Sequence, residues 1–228
     1  MALKFEDVKQ EFMQAVNGDK RNQALMRKIR DGKGTYKTAQ ELSIRVGKSL
    51  GKVLKAHEPI NGIDEWDYLD LIPKTWGLDQ SIMAENCRLV QETMNKKNGF
   101  GMKYKEPKFD KDRVNGIIKE LEDNPEFSNI SKTFYDQLTN FSQNIVDESM
   151  RENAGLMYRS GIKTLVIRQA EAGGCKWCQE QAGTYDYNDV KDQGNDVWRR
   201  HENCNCTIDF ITERDSGFYS ERVNNQKK

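Results

Sequence analysis

GGCKWCQEQAG at residues 173–183 and HENCNC at residues 201–206 bring four cysteines and one of the chain's two histidines into one short stretch. The pattern is C-x2-C, then 22 residues between Cys178 and His201, then H-x2-C-x-C. A C-x2-C turn carries two thiolates to one point and lets its own amides hydrogen bond to sulfur, while Gly173 and Gly174 let the backbone curl. His201 and Cys204 offer a second pair of donors at the far end of the loop, as in a tetrahedral zinc site. Cys206 makes five candidates for four positions. The preferred set is Cys175, Cys178, His201 and Cys204, with Cys206 in place of Cys204 or His201 as the competing assignments. A disulfide, Cys175 to Cys178 or Cys178 to Cys204, is the alternative. It is disfavoured because the opening MALKFEDVKQEF carries acids and helical periodicity in place of an export signal, and thiols of an unexported chain stay reduced. Four protein ligands close a site to substrate, so the zinc expected is structural, and Glu180 and Glu202 beside the ligands are read as solvated acids, not general bases. Such an ion contributes roughly 10 kcal/mol or more to folding. Trp177 and Trp198 flank the donor pairs and, with Val197 and Tyr185, are expected to cover the metal as a miniature core. Arg199 and Arg200 are expected as a solvated pair or as partners for acids.

Outward from the cysteines, three short runs read as strands. TLVIRQA at 164–170 is β-branched and bounded by Gly161 and by Gly173 with Gly174, and TYDY at 184–187 and CTIDFIT at 206–212 alternate in the same manner. Upstream, apolar residues recur at helical spacing: Phe5, Val8, Phe12, Val16; then Leu25, Met26, Ile29; then Ala39, Leu42, Val46, Leu50, Val53. Between 57 and 75 the period lapses among Pro59, Gly62, Asp64, Glu65, Asp67, Asp70 and Pro73, which predicts a loop anchored by Trp66 and Tyr68. Met83, Cys87, Val90 and Met94 then share one helical face, which makes Cys87 a small buried hydrophobe. NKKNGFGMKYKEPK at 95–108 reads as a linker or mobile loop, and further helices begin at Val114 and Ile130, the second reaching Tyr158. The expected fold is mostly α (α+β), a helical N-terminal body with a small zinc-stapled α+β C-terminal module of three short strands. It divides into a helical region at 1–105, long helices at 106–160, the zinc module at 161–213 and a polar tail at 214–228.

Lys plus Arg and Asp plus Glu number 36 each, so the formal charge is zero and no chain-wide attraction to a polyanion follows. Apolar residues are 36% against 32% charged, which suits long solvated helices and surfaces completed by partner subunits. No apolar run has the length of a membrane span. Residues 1–60 hold 13 Lys or Arg against 7 Asp or Glu, and Lys20, Arg21, Arg27, Lys28 and Arg30 are the candidate phosphate contacts, with a solvated helix face as the simpler reading. His57 ends a helical stripe far from any cysteine and is read as an ordinary helix-end residue.

The strand VIRQA, then CKWCQEQAGTYDY, then VWRRHENCNCTIDF together resemble the C-terminal domain of phage minor head proteins, the Mu F-like head morphogenesis family. That pattern is a C-x2-C pair shortly before a glycine, a variable loop and a closing H-x-x-C-x-C before a final strand. Cys175, Cys178, Gly183, His201, Cys204 and Cys206 stand at those positions, and Glu202 stands where the family frequently has proline. The resemblance spans residues 160 to 212. It implies a structural virion protein without enzymatic activity, located in the capsid interior or at the portal vertex and in the host cytoplasm during assembly. Its partners would be the portal protein, the major capsid protein or both, with a role in head morphogenesis and DNA packaging or ejection. Two other classes compete: a zinc-stabilised nuclease or toxin domain, for which only His57 is free to act as a catalytic histidine, and a cellular zinc-knuckle adaptor that binds nucleic acid.

Overall fold

A computed structural model describes residues 4–57, 65–123, 127–192, 194–201 and 204–225. Six helices precede the first strand: α1 Phe5–Gly18, α2 Lys20–Arg30, α3 Tyr36–Ala56, α4 Glu65–Lys97, α5 Lys111–Glu122 and α6 Phe127–Arg159. There follow β1 Thr164–Gln169, α7 Lys176–Glu180, β2 Gly183–Asp186, α8 Tyr187–Val190, β3 Thr207–Thr212 and α9 Phe218–Asn225. The expected mostly helical chain with a small three-stranded sheet near the C-terminus is what the structure has.

The apolar stripes account for the helices. Val8, Phe12 and Val16 of α1, Leu25 and Ile29 of α2, and Leu42, Val46 and Leu50 of α3 are buried in one cluster with Phe141 and Ile145 of α6. Side-chain caps fix two of the starts. Asp19 Oδ1 accepts from the amides of Arg21 and Asn22 before α2, and Asp110 Oδ1 accepts from the Arg113 amide before α5. Helices α3 and α6 cross closely because residue 47 is glycine. A Cβ there would lie 2.7 Å from the Thr139 Cα and 2.7 Å from Ser142 Oγ.

Two sequence expectations need correction. The predicted loop at 57–75 is in large measure helix, since α4 begins at Glu65 and runs through Pro73, while Pro59, Gly62 and Asp64 lie outside the described residues. Proline inside a helix forfeits a backbone bond and costs about 3 kcal/mol. Burial of Leu69, Leu71, Ile72 and Trp76 on either side outweighs that cost, and Thr75 Oγ1 donates to the carbonyls of Leu71 and Ile72. The second correction concerns 95–108. Its residues 98–108 have no helix or strand, but the segment is pinned: Asn153 exchanges hydrogen bonds with both the amide and the carbonyl of Lys105, Gln80 donates to Pro107 O, and Asn95 donates to Met102 O. The tail at 214–228 likewise holds α9, whose Phe218 is buried and whose Glu221 accepts from Thr184 of β2.

The sheet is antiparallel in the order β2-β1-β3, with Val166 of β1 opposite Tyr185 and Phe210. Val166, Ile208 and Phe210 belong to the same core as the helices, and Phe210 packs against Tyr36 of α3 with ring centroids 5.7 Å apart. One core thus runs from α1 to β3, and the sheet's helix-facing side belongs to it.

Candidate metal centre

The five predicted donors come together at one end of the sheet. Gly173, at φ +81, turns the chain out of β1, and Gly174 leaves room for Glu171 O, which a Cβ would approach to 3.0 Å. Cys175 then caps α7, its Sγ accepting from the Cys178 amide at 3.5 Å, so that both sulfurs of the C-x2-C pair face one point. Across from them the 201–206 segment enters β3. Cys175 Sγ lies 3.3 Å and Cys178 Sγ 2.8 Å from His201 Nε2, and Cys178 Sγ lies 3.8 Å from Cys204 Sγ. Two groups of donor atoms, each within 4.8 Å of one another, are Cys175 with Cys178 and His201, and Cys178 with Cys204 and Cys206. Cys178 belongs to both. These five residues form a cluster able to hold a metal ion.

All five cysteines of the chain are free, so neither disulfide alternative is present. Cys178, Cys204 and Cys206 are buried together, while Cys175 is exposed. Burial pushes the Cys178 thiol well up, and its neighbouring thiols add to the effect. For Cys206 burial acts in the same direction, but hydrogen bonds to Cys178 and Cys204, the Glu171 backbone and the charge of Arg168 outweigh it and bring that thiol down.

The surroundings of the sulfurs were only partly foreseen. Arg168, fully buried on the central strand, gives its Nη1 to the carbonyls of Asp196, Val197 and Arg199 and points Nη2 at Cys204 Sγ, 3.8 Å away. It has no carboxylate partner among the described residues. The Arg200 side chain is only 5% exposed and pairs with Asp147 of α6, its Nη2 2.9 Å from Oδ1 and its Nε on Oδ2. Its Nη1 donates to Cys206 O at 2.7 Å and reaches Cys204 Sγ at 4.0 Å. Two guanidinium groups reach one sulfur, that of Cys204. Arg200 thus takes the acid-partner role that the sequence allowed it, and Arg199 is the exposed one, paired with Asp196 at 3.0 Å.

Helix α6 braces the second half of the site along one face. Asn140 donates to His201 O, Gln143 donates to Cys204 O at 2.9 Å, and Asp147 holds Arg200. Gln40 of α3 ties this row to the sheet, giving Nε2 to Asp147 Oδ1 and accepting the Ile208 amide. The signal for Asp147 lay in the sequence: Gln143, Asp147, Met150 and Ala154 step by four, three and four, which places an acid on a buried stripe. Arg168 could be found in the same way, as the one charge inside TLVIRQA.

Of the predicted miniature core, Trp177 is in place: it packs on the buried cysteines, edge-on to His201 with centroids 5.7 Å apart, and Arg168 stacks on its ring at 5.0 Å. Trp198, Val197 and Tyr185 are instead in or against the main core, where the Trp198 indole donates to Val190 O. Glu180 lies 3.8 Å from Lys176, and Glu202 is outside the described residues. His57 ends α3 and meets Glu11 at 2.9 Å, remote from the cysteines, as expected. Cys87 is fully buried, and burial pushes its thiol up to about 12. Lys20, Arg21, Arg27, Lys28 and Arg30 lie along α2, with Arg21 engaged by Glu41 at 2.6 Å. No described helix is long and apolar enough to cross a membrane. Comparison with protein-family models, with curated proteins and with solved structures finds no match for the chain.

Proposed function

We propose that the chain is a structural minor head protein of a bacteriophage, in which one zinc ion closes the loop between β1 and β3 and so fixes a contact surface for portal or capsid. The observation that carries this reading is the placement of the C-x2-C and H-x2-C-x-C donors at one end of a three-stranded antiparallel sheet, in two groups of three that share Cys178. Zinc bonded to sulfur at about 2.3 Å sets tetrahedral ligands about 3.8 Å apart, which is the Cys178–Cys204 separation of 3.8 Å. The Cys175–His201 edge of 3.3 Å is near the value of about 3.6 Å for a sulfur and a nitrogen ligand, while the 2.8 Å between Cys178 and His201 is a hydrogen-bond distance that metal entry would lengthen. Cys178 is a ligand in every assignment, and four of the five donors suffice.

With four protein ligands the ion has no position for substrate, so its role is to hold the chain and the reading assigns no turnover. The virion location, the portal or capsid partner and the role in head assembly rest on the sequence resemblance. Co-expression with the portal protein encoded in the same genome tests them. A complex that survives size-exclusion chromatography is expected. Failure to associate with both the portal and the major capsid protein would overturn the head-protein reading while leaving the metal centre intact.

A further inference from the structure

A groove of about 510 Å³ runs between α3 and α6. The helices touch at Gly47 and have diverged by Gly51, a turn further on, where a Cβ would find its nearest neighbours at 3.7 Å and beyond. Along one lip stand Lys48, Lys52 and Lys55 of α3. At 1.5 Å of rise per residue they follow one another at about 6 Å and about 4.5 Å along the helix axis. Among the described residues none of the three has an acidic partner, whereas Arg88 pairs with Glu85 and Glu92, Lys119 with Asp123, and on the opposite lip of this groove Lys132 with Asp136. On the opposite lip Tyr135 presents its ring, 5.8 Å from Lys55 Nζ, and the end of the groove is closed by Gln143 and by Asn205, which sits between two of the metal-site cysteines.

We propose that this groove binds a phosphodiester chain, and that nucleic-acid contact lies here and not on α2. Three uncompensated like charges in two helical turns repel one another, and a ligand that repeats its own charge at the same interval relieves that repulsion at each step. A lone small anion would satisfy one lysine; a strand meets all three. Tyr135 adds an aromatic ring beside the lysine row, the kind of side chain on which bases stack regardless of sequence. The α2 residues differ, since Arg21 is engaged by Glu41 and Arg27, Lys28 and Arg30 do not line this groove. The inference goes beyond the head-protein reading and stands without it.

The test is fluorescence anisotropy on the full-length, metal-loaded protein, with a labelled single-stranded oligonucleotide and the duplex of the same sequence, from about 50 to about 200 mM salt. The K48E/K52E/K55E protein is expected to bind at least about tenfold more weakly at the lower salt, with the slope of log affinity on log salt reduced by about two. K48Q/K52Q/K55Q moves in the same direction by less, and guards against an effect of misplaced acids. R27E/K28E/R30E leaves affinity within about twofold. Tighter binding of the single strand identifies it as the ligand through Tyr135, and tighter binding of the duplex identifies the double helix lying across the lysine row. Either result supports the groove. Unchanged affinity of the K48E/K52E/K55E protein, an equal loss in the α2 variant, or displacement of both probes by polyglutamate at equal charge would overturn it, the last in favour of an acidic peptide.

Discussion

The helical body and the cysteine cluster hold chain segments together by different means. In the body, large side chains do it: Phe12, Tyr36, Leu42, Leu50, Trp76 and Phe141 are all fully buried, and each contributes on the order of 2 kcal/mol through burial. At the cysteine end the buried cluster is Cys178, Cys204 and Cys206, and among the described hydrophobic residues Ala170 and Trp177 pack against it. Apolar packing there is sparse, and five donors able to hold an ion stand in its place. The sheet lies between the regimes, with Val166 and Phe210 in the helical core and its cysteine end beyond it. Where the apolar packing thins out, the protein places its cluster of possible metal donors.

The largest effect that would break this comparison is loss of a donor common to both groups. Cys178→Ser is expected to abolish metal retention, removing an interaction worth roughly 10 kcal/mol. Amides of 174–182 and 204–206 should then exchange faster by orders of magnitude, while those of β1, β3 and α3 stay protected. Collapse of protection throughout α3 would show that the body depends on the ion.

Phe141→Ala is the opposite probe. Its ring packs 4.3 Å from that of Trp76, and its removal should cost about 3–5 kcal/mol of global stability by denaturant titration, with metal content unchanged. Arg200→Met touches both regions, because it leaves Asp147 buried without its partner. A comparable loss of about 3–5 kcal/mol is expected, together with faster metal loss to a chelator. A stable variant with wild-type metal retention would remove Arg200 from the account.

The smallest predicted effect lies within the body. Asp79 is fully buried on α4, hydrogen bonded by Ser142 Oγ, and burial pushes its carboxyl up to about 7 against that bond. A folded value above the unfolded one of 3.8 means the contribution is fully present below about pH 4 and is lost as pH rises through about 7. Stability should fall between about pH 4 and about pH 7, and Asp79→Asn should flatten most of that slope and add on the order of 2 kcal/mol at about pH 8. A smaller slope of the same sign remains from Asp209, raised to about 6 chiefly by burial. An unchanged slope in the Asn variant would contradict the assignment.

Most helices and all three strands were legible because their apolar periodicity is long enough to read. Helix α4 was half hidden, since Pro73 and the acids at 64–70 mimic a loop and only burial of Leu69, Ile72 and Trp76 reveals otherwise. Helices α7, α8 and α9 have 5, 4 and 8 residues, too short for a period to establish itself. The five donors stood out by spacing. Their support did not, because Asn140, Gln143, Asp147 and Arg168 reach the site from α6 and β1, and such long-range partners leave only the trace of a polar residue on a buried stripe.

The central claim is tested most directly by measuring metal per chain on protein purified under reducing conditions in metal-free buffer, together with a thiol titration before and after chelation. One equivalent of zinc is expected, with the site thiols becoming reactive only once the ion is removed and buried Cys87 only on unfolding. Less than half an equivalent, with the cysteines of 175–206 oxidised, would contradict it.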